Sequence, residues 1–192
     1  MKDLRTLISF LRKIEKLKCI TRHSWTSDGR KESVAEHSWR LAILLHLLKD
    51  QFIDCDYDKM ITMALFHDLS ETKHGDVPGF LKTQKDVQKE KIALEDISKE
   101  YESLEISDII SAVREFDNKE SKEAKIVNAL DKLEGLIQHN EADIETWIEL
   151  EYELNLTYGI EDCMVNPVIH ELRMLVREIA RNKTGEKSPA RK

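Results

Sequence analysis

The chain contains very few residues that break helices, with six glycines and three prolines among 192 residues. A protein built from many short strands needs more tight turns than these residues can supply. Apolar residues instead recur at spacings of three and four, as in Leu4, Leu7 and Leu11, which is the period of an amphipathic helix. No segment of useful length alternates apolar and polar residues. The sequence therefore predicts an all-α protein.

Capping residues suggest where helices begin. Ser33 with Glu36 three residues later is typical of a capping box. Asp56 or Asp58 can cap another helix, and that helix should end before the next glycine. The polar segment 21–32 contains an Asp-Gly turn signal and is predicted to be a loop. Helices are predicted over residues 4–14, 34–51, 57 or 59 to 74, 82–101, 106–116, 121–139, 144–156 and 168–179.

Composition limits the partners and the compartment. Lys and Arg number 30 against 37 Asp and Glu, so the net charge is −7 and disfavours binding to a nucleic-acid polymer. The three cysteines are widely spaced without a CxxC pair, which fits free thiols in a reducing cytoplasm better than disulfides or a zinc ribbon. The charged N-terminus lacks the apolar region of a signal peptide, and the longest apolar stretch, 41–48, is too short to span a bilayer. We expect a cytoplasmic protein that does not bind membranes.

Two adjacent residues of metal-binding types, His67 and Asp68, lie in the apolar segment ALFHDLSE. A buried carboxylate is costly unless it is paired or binds a cation, and helix neighbours about 100° apart can both reach one ion. His37 in VAEHSWRLA and Asp131 in IVNALDKLEG offer a third and a fourth ligand. Two imidazoles and two carboxylates balance a divalent cation and leave positions open for water and a phosphoryl oxygen. This ligand set suits Mn, Co, Fe, Ni or Zn better than Mg or Ca.

The order His, His-Asp, Asp, with gaps of 30 and 63 residues, resembles the HD-domain phosphohydrolases. The blocks LKCITRHSW, ESVAEHSWRLA, ALFHDLSETKHGDVPG and SKEAKIVNALDKLEGLIQ resemble those of bacterial 5′-deoxynucleotidases and their eukaryotic HD-domain relatives over roughly residues 4–160. The resemblance implies a helical bundle, a nucleotide substrate and a homodimer. We expect one HD domain over residues 1–182 and a disordered basic tail over residues 183–192.

The resemblance also implies roles for individual residues. The four residues proposed above match the family's metal ligands, and Glu71, one helical turn after the first ligand of the His-Asp pair, matches its catalytic glutamate. Asp76 in HGDVP matches an aspartate of the active site that contacts substrate, and Arg22 matches an arginine that holds the phosphate. Some relatives have an aromatic residue directly after the arginine, near the ribose 2′-position. Here His23 follows, and the aromatic Trp25 comes two residues later and is expected to bind substrate.

Three functions are compatible with this pattern. The favoured one is metal-dependent hydrolysis of the 5′-phosphate of a (deoxy)nucleoside monophosphate, with Glu71 assisting the water, Arg22 offsetting phosphate charge and Asp76 contacting the sugar. A dNTP triphosphohydrolase is the second, and a larger Lys/Arg cluster near the site would favour it. The third is a non-catalytic helical adaptor stabilised by metal. Loss of Glu71 or Arg22 would support that adaptor, but both residues are present.

Overall fold

The computed structural model describes residues 3–185 and consists mainly of helices, as the sequence predicts. Its α-helices are α1 (Leu4–Glu15), α2 (Val34–Leu47), α3 (Tyr57–Phe66), α4 (Glu71–His74), α5 (Gln84–Glu100), α6 (Ser107–Asn118), α7 (Lys122–Glu141), α8 (Glu149–Thr157), α9 (Ile160–Cys163) and α10 (Pro167–Thr184). Short 3-10 helices lie at Lys16–Lys18, Lys49–Gln51, Glu102–Leu104 and Ile144–Thr146. Two strands, β1 (Thr21–Trp25) and β2 (Lys31–Ser33), form an antiparallel hairpin.

Helix α7 lies at the centre of the fold and contacts α2, α3, α6, α9 and α10. Its apolar side chains pack with those of α2 and α3 in the larger of two hydrophobic clusters, which includes Leu41, Leu45, Met60, Met63, Ile126, Leu130 and Leu133. A second cluster joins α1, α5 and α6 around Phe10, Leu94, Ile97 and Ile110. Because α2, α3 and α7 pack directly against one another, polar residues on their facing sides are brought together inside the protein.

The capping predictions are confirmed. Ser33 and Glu36 form a reciprocal capping box at the start of α2. Asp56, and not Asp58, caps α3 by accepting a hydrogen bond from the backbone N–H of Lys59. Local side-chain chemistry therefore sets the first turn of both helices that carry proposed histidine ligands.

The segment predicted to be a loop, 21–32, is instead mostly the β1–β2 hairpin. Only three residues lie in β2, so its alternation was too short to show a strand period. Three residues separate the paired positions Thr21 and Trp25 on β1, whereas one separates Ser33 and Lys31 on β2. The extra residues make β1 bulge, and bulges re-aim side chains.

The helix predicted to continue to residue 74 ends at Phe66, and a separate short helix begins at Glu71. Between them, backbone hydrogen bonds join residues three apart, as from Leu69 N to Phe66 O at 2.9 Å. This tighter turn ends the regular α-helical bonding at the His-Asp pair.

The last helix continues beyond the predicted domain boundary. Helix α10 includes Lys183 and Thr184, which were assigned to the tail, and Gly185 in the left-handed region caps its end. Lys183 is held there because its ammonium donates a hydrogen bond to the backbone carbonyl of Asn140 at 2.8 Å. The rest of the predicted tail, 186–192, lies outside the described residues. No helix among residues 3–185 is long and apolar enough to cross a membrane.

Candidate metal centre and substrate cavity

The four predicted metal ligands lie together at the junction of α2, the end of α3 and α7. His37 Nε2 lies 2.9 Å from Asp131 Oδ1, and His67 Nε2 lies 3.8 Å from the same oxygen. These three atoms are all within 4.8 Å of one another. Asp68 borders this group, with Oδ2 3.0 Å from His67 Nε2. His37 and Asp131, which are 94 positions apart in sequence, are thus close enough to bind one metal ion.

The hydrogen bonds of both imidazoles fit a cation site. Nδ1 of His67 faces the carbonyl oxygen of Ala64 at 3.1 Å, so it must be the protonated nitrogen. Nδ1 of His37 donates to the carboxylate of Glu134 in the same way. A bound cation requires neutral rings, and each Nε2 would then direct a lone pair toward the cation beside Asp131. His67 Nε2 is buried without a hydrogen-bond partner among the described residues. A divalent cation between these atoms satisfies all of them, so the donor set fits a metal.

The electrostatics of the cluster favour positive charge. Burial alone would raise the pKa of Asp131, but its hydrogen bond with His37 and the charges around it lower that pKa to about 2. Burial also opposes ionisation of Asp68, whereas His67 and other cations lower its pKa below the ordinary value. For His37, burial and the nearby Arg22 lower the pKa, but the carboxylates dominate and raise it to about 9. The two aspartates therefore stay ionised and attract a cation.

A second layer of charged residues positions His37, and the sequence analysis missed it. Glu134 is 1% exposed and accepts hydrogen bonds from His37 Nδ1 and from Arg40 Nε, the latter at 2.5 Å. Arg40 is held in turn by Glu141 at 2.6 Å. Glu134 follows Asp131 by three residues on α7, so both project from one face. That spacing was the signal available in the sequence.

A cavity of about 900 Å³, its open mouth included, opens beside the metal cluster. Asp68 and Asp131 lie in its wall together with three other predicted site residues, Arg22, Glu71 and Asp76. The structure therefore brings the proposed metal ligands and the proposed substrate-binding residues to one place.

Arg22 reaches the cavity from the bulged strand β1. Its Nη1 lies 3.7 Å from Asp68 Oδ2, and its Nε lies 3.4 Å from Glu32 on β2. Burial alone would lower the pKa of Arg22, but the surrounding carboxylates, Asp68 first among them, raise it above its ordinary value. Gly135 on α7 lies beside the guanidinium, and a Cβ there would make an ordinary contact with Nη2 at 3.7 Å. The bulge lets Arg22, His23 and Ser24 all line the cavity.

Glu71 is the first residue of the short helix α4, and Asp76 follows that helix. Glu71 is 3% exposed, and its Oε2 has no hydrogen-bond partner among the described residues. Burial, followed by repulsion from Asp68 and Asp76, raises the pKa of Glu71 to about 10. Burial likewise raises the pKa of Asp76. Gly75, with φ of 80°, turns the chain after α4 so that the next five residues enter the cavity wall.

Trp25 is the predicted site residue that the structure does not bring to the cavity. Its ring lies under the ammonium of Lys31, 4.4 Å from the ring centroid, and its carbonyl accepts a hydrogen bond from Gln138. Trp25 is paired across the hairpin and lies beyond the bulge, so it does not share the orientation of Arg22. Lining residues without a predicted role include Lys82, Lys132, His139, Glu151, Asn155 and Tyr158.

A helical fold with a His/Asp cluster at the edge of a cavity lined by charged residues defines a class of α-helical metal-binding proteins. Comparison with known families agrees with this class. A family model described as the HD domain matches residues 14–173, and the chain belongs to that family.

Individual relatives extend the comparison. The chain is 27% identical over 180 residues to 5′-deoxynucleotidase HDDC2 of Homo sapiens, covering 91% of this chain and 85% of that protein. It is 30% identical over 167 residues to 5′-deoxynucleotidase HDDC2 of Dictyostelium discoideum, covering 79% and 88%. A crystal structure described as a predicted metal-dependent phosphohydrolase from Magnetospirillum magnetotacticum aligns with a TM-score of 0.81 at 22% identity, covering 97% of this chain and 96% of that chain. This last similarity shows a shared fold.

Proposed function

We propose that this protein is a metal-dependent 5′-nucleotidase that hydrolyses deoxynucleoside 5′-monophosphates to nucleoside and phosphate. The observation that carries the proposal is the meeting of the His/Asp cluster, a partly buried arginine and a buried glutamate at one cavity. The relatives named 5′-deoxynucleotidase support the choice of substrate, because they align over most of this chain.

His37, His67, Asp68 and Asp131 would hold the cation. Nitrogen and carboxylate ligands favour Mn, Co, Fe, Ni or Zn, and among these the identity is left to experiment. When bound, the ion supplies Lewis-acid polarisation of a phosphoryl oxygen and lowers the pKa of water. Glu134 and the carbonyl of Ala64 accept hydrogen bonds from the Nδ1 atoms of the two histidines, so both Nε2 atoms remain free to bind the ion.

The remaining residues bind and orient the reactants. The guanidinium of Arg22 donates hydrogen bonds to the nonbridging oxygens of the phosphate, for which its planar shape is suited. Glu71 orients the attacking water through Oε2, the oxygen that has no partner in the described structure. A cation bound beside Asp68 would lower the raised pKa of Glu71, so that its carboxylate takes the proton of the water. The water oxygen forms a bond to phosphorus, the bond from phosphorus to the 5′ oxygen breaks, and the nucleoside leaves with a proton. Asp76 contacts the sugar from the loop after α4.

The charge of the cavity favours a monophosphate over a triphosphate. Lys82 and Lys132 line the wall with Arg22, so lysines remote in sequence do converge here. Each is already paired, however, Lys82 with Glu90 at 2.8 Å and Lys132 with Asp162 at 2.6 Å. The cavity wall contains five carboxylates and these three cationic side chains. Binding of a divalent ion therefore only neutralises the net negative charge of the wall. A triphosphate carries about two more negative charges than a monophosphate and would need further basic groups.

We also propose a cytoplasmic homodimer. Cys19, Cys55 and Cys163 are free thiols in the described structure, which fits a reducing compartment.

A row of apolar side chains on α2 is exposed, namely Trp39, Ile43 and Leu47, together with much of the apolar face of α1. Exposed apolar surface of this kind is typical of an interface between subunits. Sedimentation at several concentrations tests the dimer, and a constant monomer mass would contradict it.

The function is tested by incubating protein loaded with Mn²⁺ or Co²⁺ with dAMP, AMP and dATP and separating the products. Inorganic phosphate from dAMP, lost on chelation, is the expected result. Release of inorganic triphosphate from dATP, with dAMP unchanged, would support the triphosphohydrolase instead. No turnover of any nucleotide by fully loaded protein would favour the non-catalytic adaptor.

A further inference from the structure

Two buried hydrogen-bond acceptors without partners lie in the cavity wall on helix α8. Glu151 is 2% exposed; its Oε2 accepts the backbone N–H of Ile148 at 2.8 Å, but its Oε1 has no hydrogen bond among the described residues. Asn155 is 1% exposed, and its Oδ1 is likewise unpartnered. The two residues are one helical turn apart and both line the cavity. Buried acceptors left without donors are destabilising, which points to a donor supplied by a ligand.

Two imidazoles surround the free oxygen of Glu151 without satisfying it. His23 Nε2 lies 2.7 Å and His139 Nε2 lies 3.3 Å from Oε1, but neither has the geometry of a hydrogen bond to it. The ring of His23 also packs edge-on against Phe80, with the centroids 5.5 Å apart. Apolar and aromatic side chains with a few polar groups make up this end of the cavity, as is usual where a planar ligand binds.

Helix α7 shows how far this end lies from the metal centre. Asp131, Gly135 and His139 follow one another at four-residue spacing, and all three line the cavity. Eight residues of α-helix extend about 12 Å along the axis. With the phosphate near Asp131 and the sugar beside it, the base of a nucleotide is the part that reaches His139 and Glu151.

We propose that Glu151 and Asn155 are specificity-determining residues that accept hydrogen bonds from an amino group of the nucleobase. The inference rests on the proposed nucleotidase function and specifies its substrates further. An exocyclic amino group carries two N–H donors and can serve two acceptors, and carboxylates accept from the amino group of cytosine in other recognition sites. A keto group in that position would place its oxygen against the Glu151 carboxylate. The enzyme therefore prefers dCMP and dAMP to dUMP, dTMP and dGMP, which carry a keto oxygen in that position.

The sharpest test compares dCMP with dUMP, which have the same size, sugar and phosphate. We expect kcat/KM to be about 10- to 100-fold higher for dCMP, the range for a hydrogen bond to a charged acceptor. In Glu151→Gln, the side-chain amide can donate to a keto oxygen, so the ratio should fall to within about threefold. Glu153→Gln changes an exposed glutamate on the same helix and should keep the wild-type ratio. Melting curves show whether each variant is folded.

Binding of the nucleosides separates this inference from the proposed reaction. Deoxycytidine and deoxyuridine have no phosphate, so their affinities for wild-type and Glu151→Gln protein can be measured by calorimetry without turnover. Tighter binding of deoxycytidine that depends on Glu151 supports the inference even if dCMP is not hydrolysed, and that failure would count only against the nucleotidase function. Equal binding of both nucleosides, binding of neither, or a dCMP/dUMP ratio unaffected by Glu151→Gln would overturn the inference.

Discussion

Replacing Glu134 with glutamine should weaken metal binding while leaving every proposed ligand in place. Glu134 accepts from both His37 Nδ1 and Arg40 Nε, and a glutamine of the same shape can accept only with its oxygen. If that oxygen stays with Arg40, the amide N–H groups face His37 Nδ1, which must then lose its proton. The proton moves to Nε2, the nitrogen needed for the cation. If the amide turns the other way, its N–H groups oppose the guanidinium of Arg40.

The size of the expected effect follows from hydrogen bonds to metal-binding histidines in general. Losing such a hydrogen bond typically lowers metal affinity by about 10- to 100-fold. We therefore expect the Kd for Mn²⁺ of Glu134→Gln to rise by that factor in a calorimetric titration, and the stabilisation of the fold by a fixed Mn²⁺ concentration to shrink accordingly. Glu141→Gln is the matched control, because Glu141 is the other partner of Arg40 but its side chain is 49% exposed. Its effect on stability should be about 1 kcal/mol or less. Unchanged Mn²⁺ affinity in Glu134→Gln would refute the tautomer argument.

Three further variants test the cavity. Glu71→Gln should retain metal yet lose about 10²- to 10⁴-fold in kcat, and a loss below tenfold would leave Glu71 with only a positioning role. Arg22→Lys keeps the charge but not the planar pair of donors, so KM for a monophosphate should rise about tenfold with metal content unchanged; an unchanged KM would count against phosphate binding by Arg22. Gly135→Ala should raise stability by about 0.5–1 kcal/mol, because glycine weakens a helix interior and the added Cβ meets Arg22 at an ordinary 3.7 Å; a lower melting temperature would contradict this.

The clustering of the proposed ligands could be predicted from sequence because their chemistry conflicts with their surroundings. His67, Asp68 and Asp131 are polar residues in apolar segments, and a folded chain resolves such a conflict by pairing them or by binding a cation. The helical class was predictable for a related reason, since the period of the apolar residues reflects which face is buried. Both are local properties of the chain.

The hydrogen-bond network that positions His37 could not be predicted from residue spacing alone. Glu134 and Arg40 are separated by 94 residues, and each alone resembles a charged residue on a helix surface. Only the packing of α2 against α7 shows that Glu134 is buried and bridges the histidine and the arginine. The break after Phe66 was missed for a similar reason, because tertiary contacts of the site and not helix propensity determine where α3 ends.

Position along the chain does not show that Trp25 lies away from the cavity wall. The residue is three positions after Arg22, but the bulge in β1 turns residues 22–24 toward the cavity and leaves Trp25 against Lys31. The sequence contains no signal for a bulge of this size, which arises from the unequal lengths of the two strands. Glu151 was missed because it follows the metal ligands on a separate helix, and only the fold brings it beside His23.

Phosphate release is proposed to depend on a cation held by His37, His67, Asp68 and Asp131. The most direct measurement strips the protein with a chelator, restores Mn²⁺ stepwise and follows bound metal by elemental analysis and phosphate release from dAMP in the same samples. We expect activity to be absent from stripped protein, to rise in proportion to bound metal up to one ion per chain, and not to be restored in Asp131→Ala. Full activity of the stripped protein, or full restoration in Asp131→Ala, would contradict it.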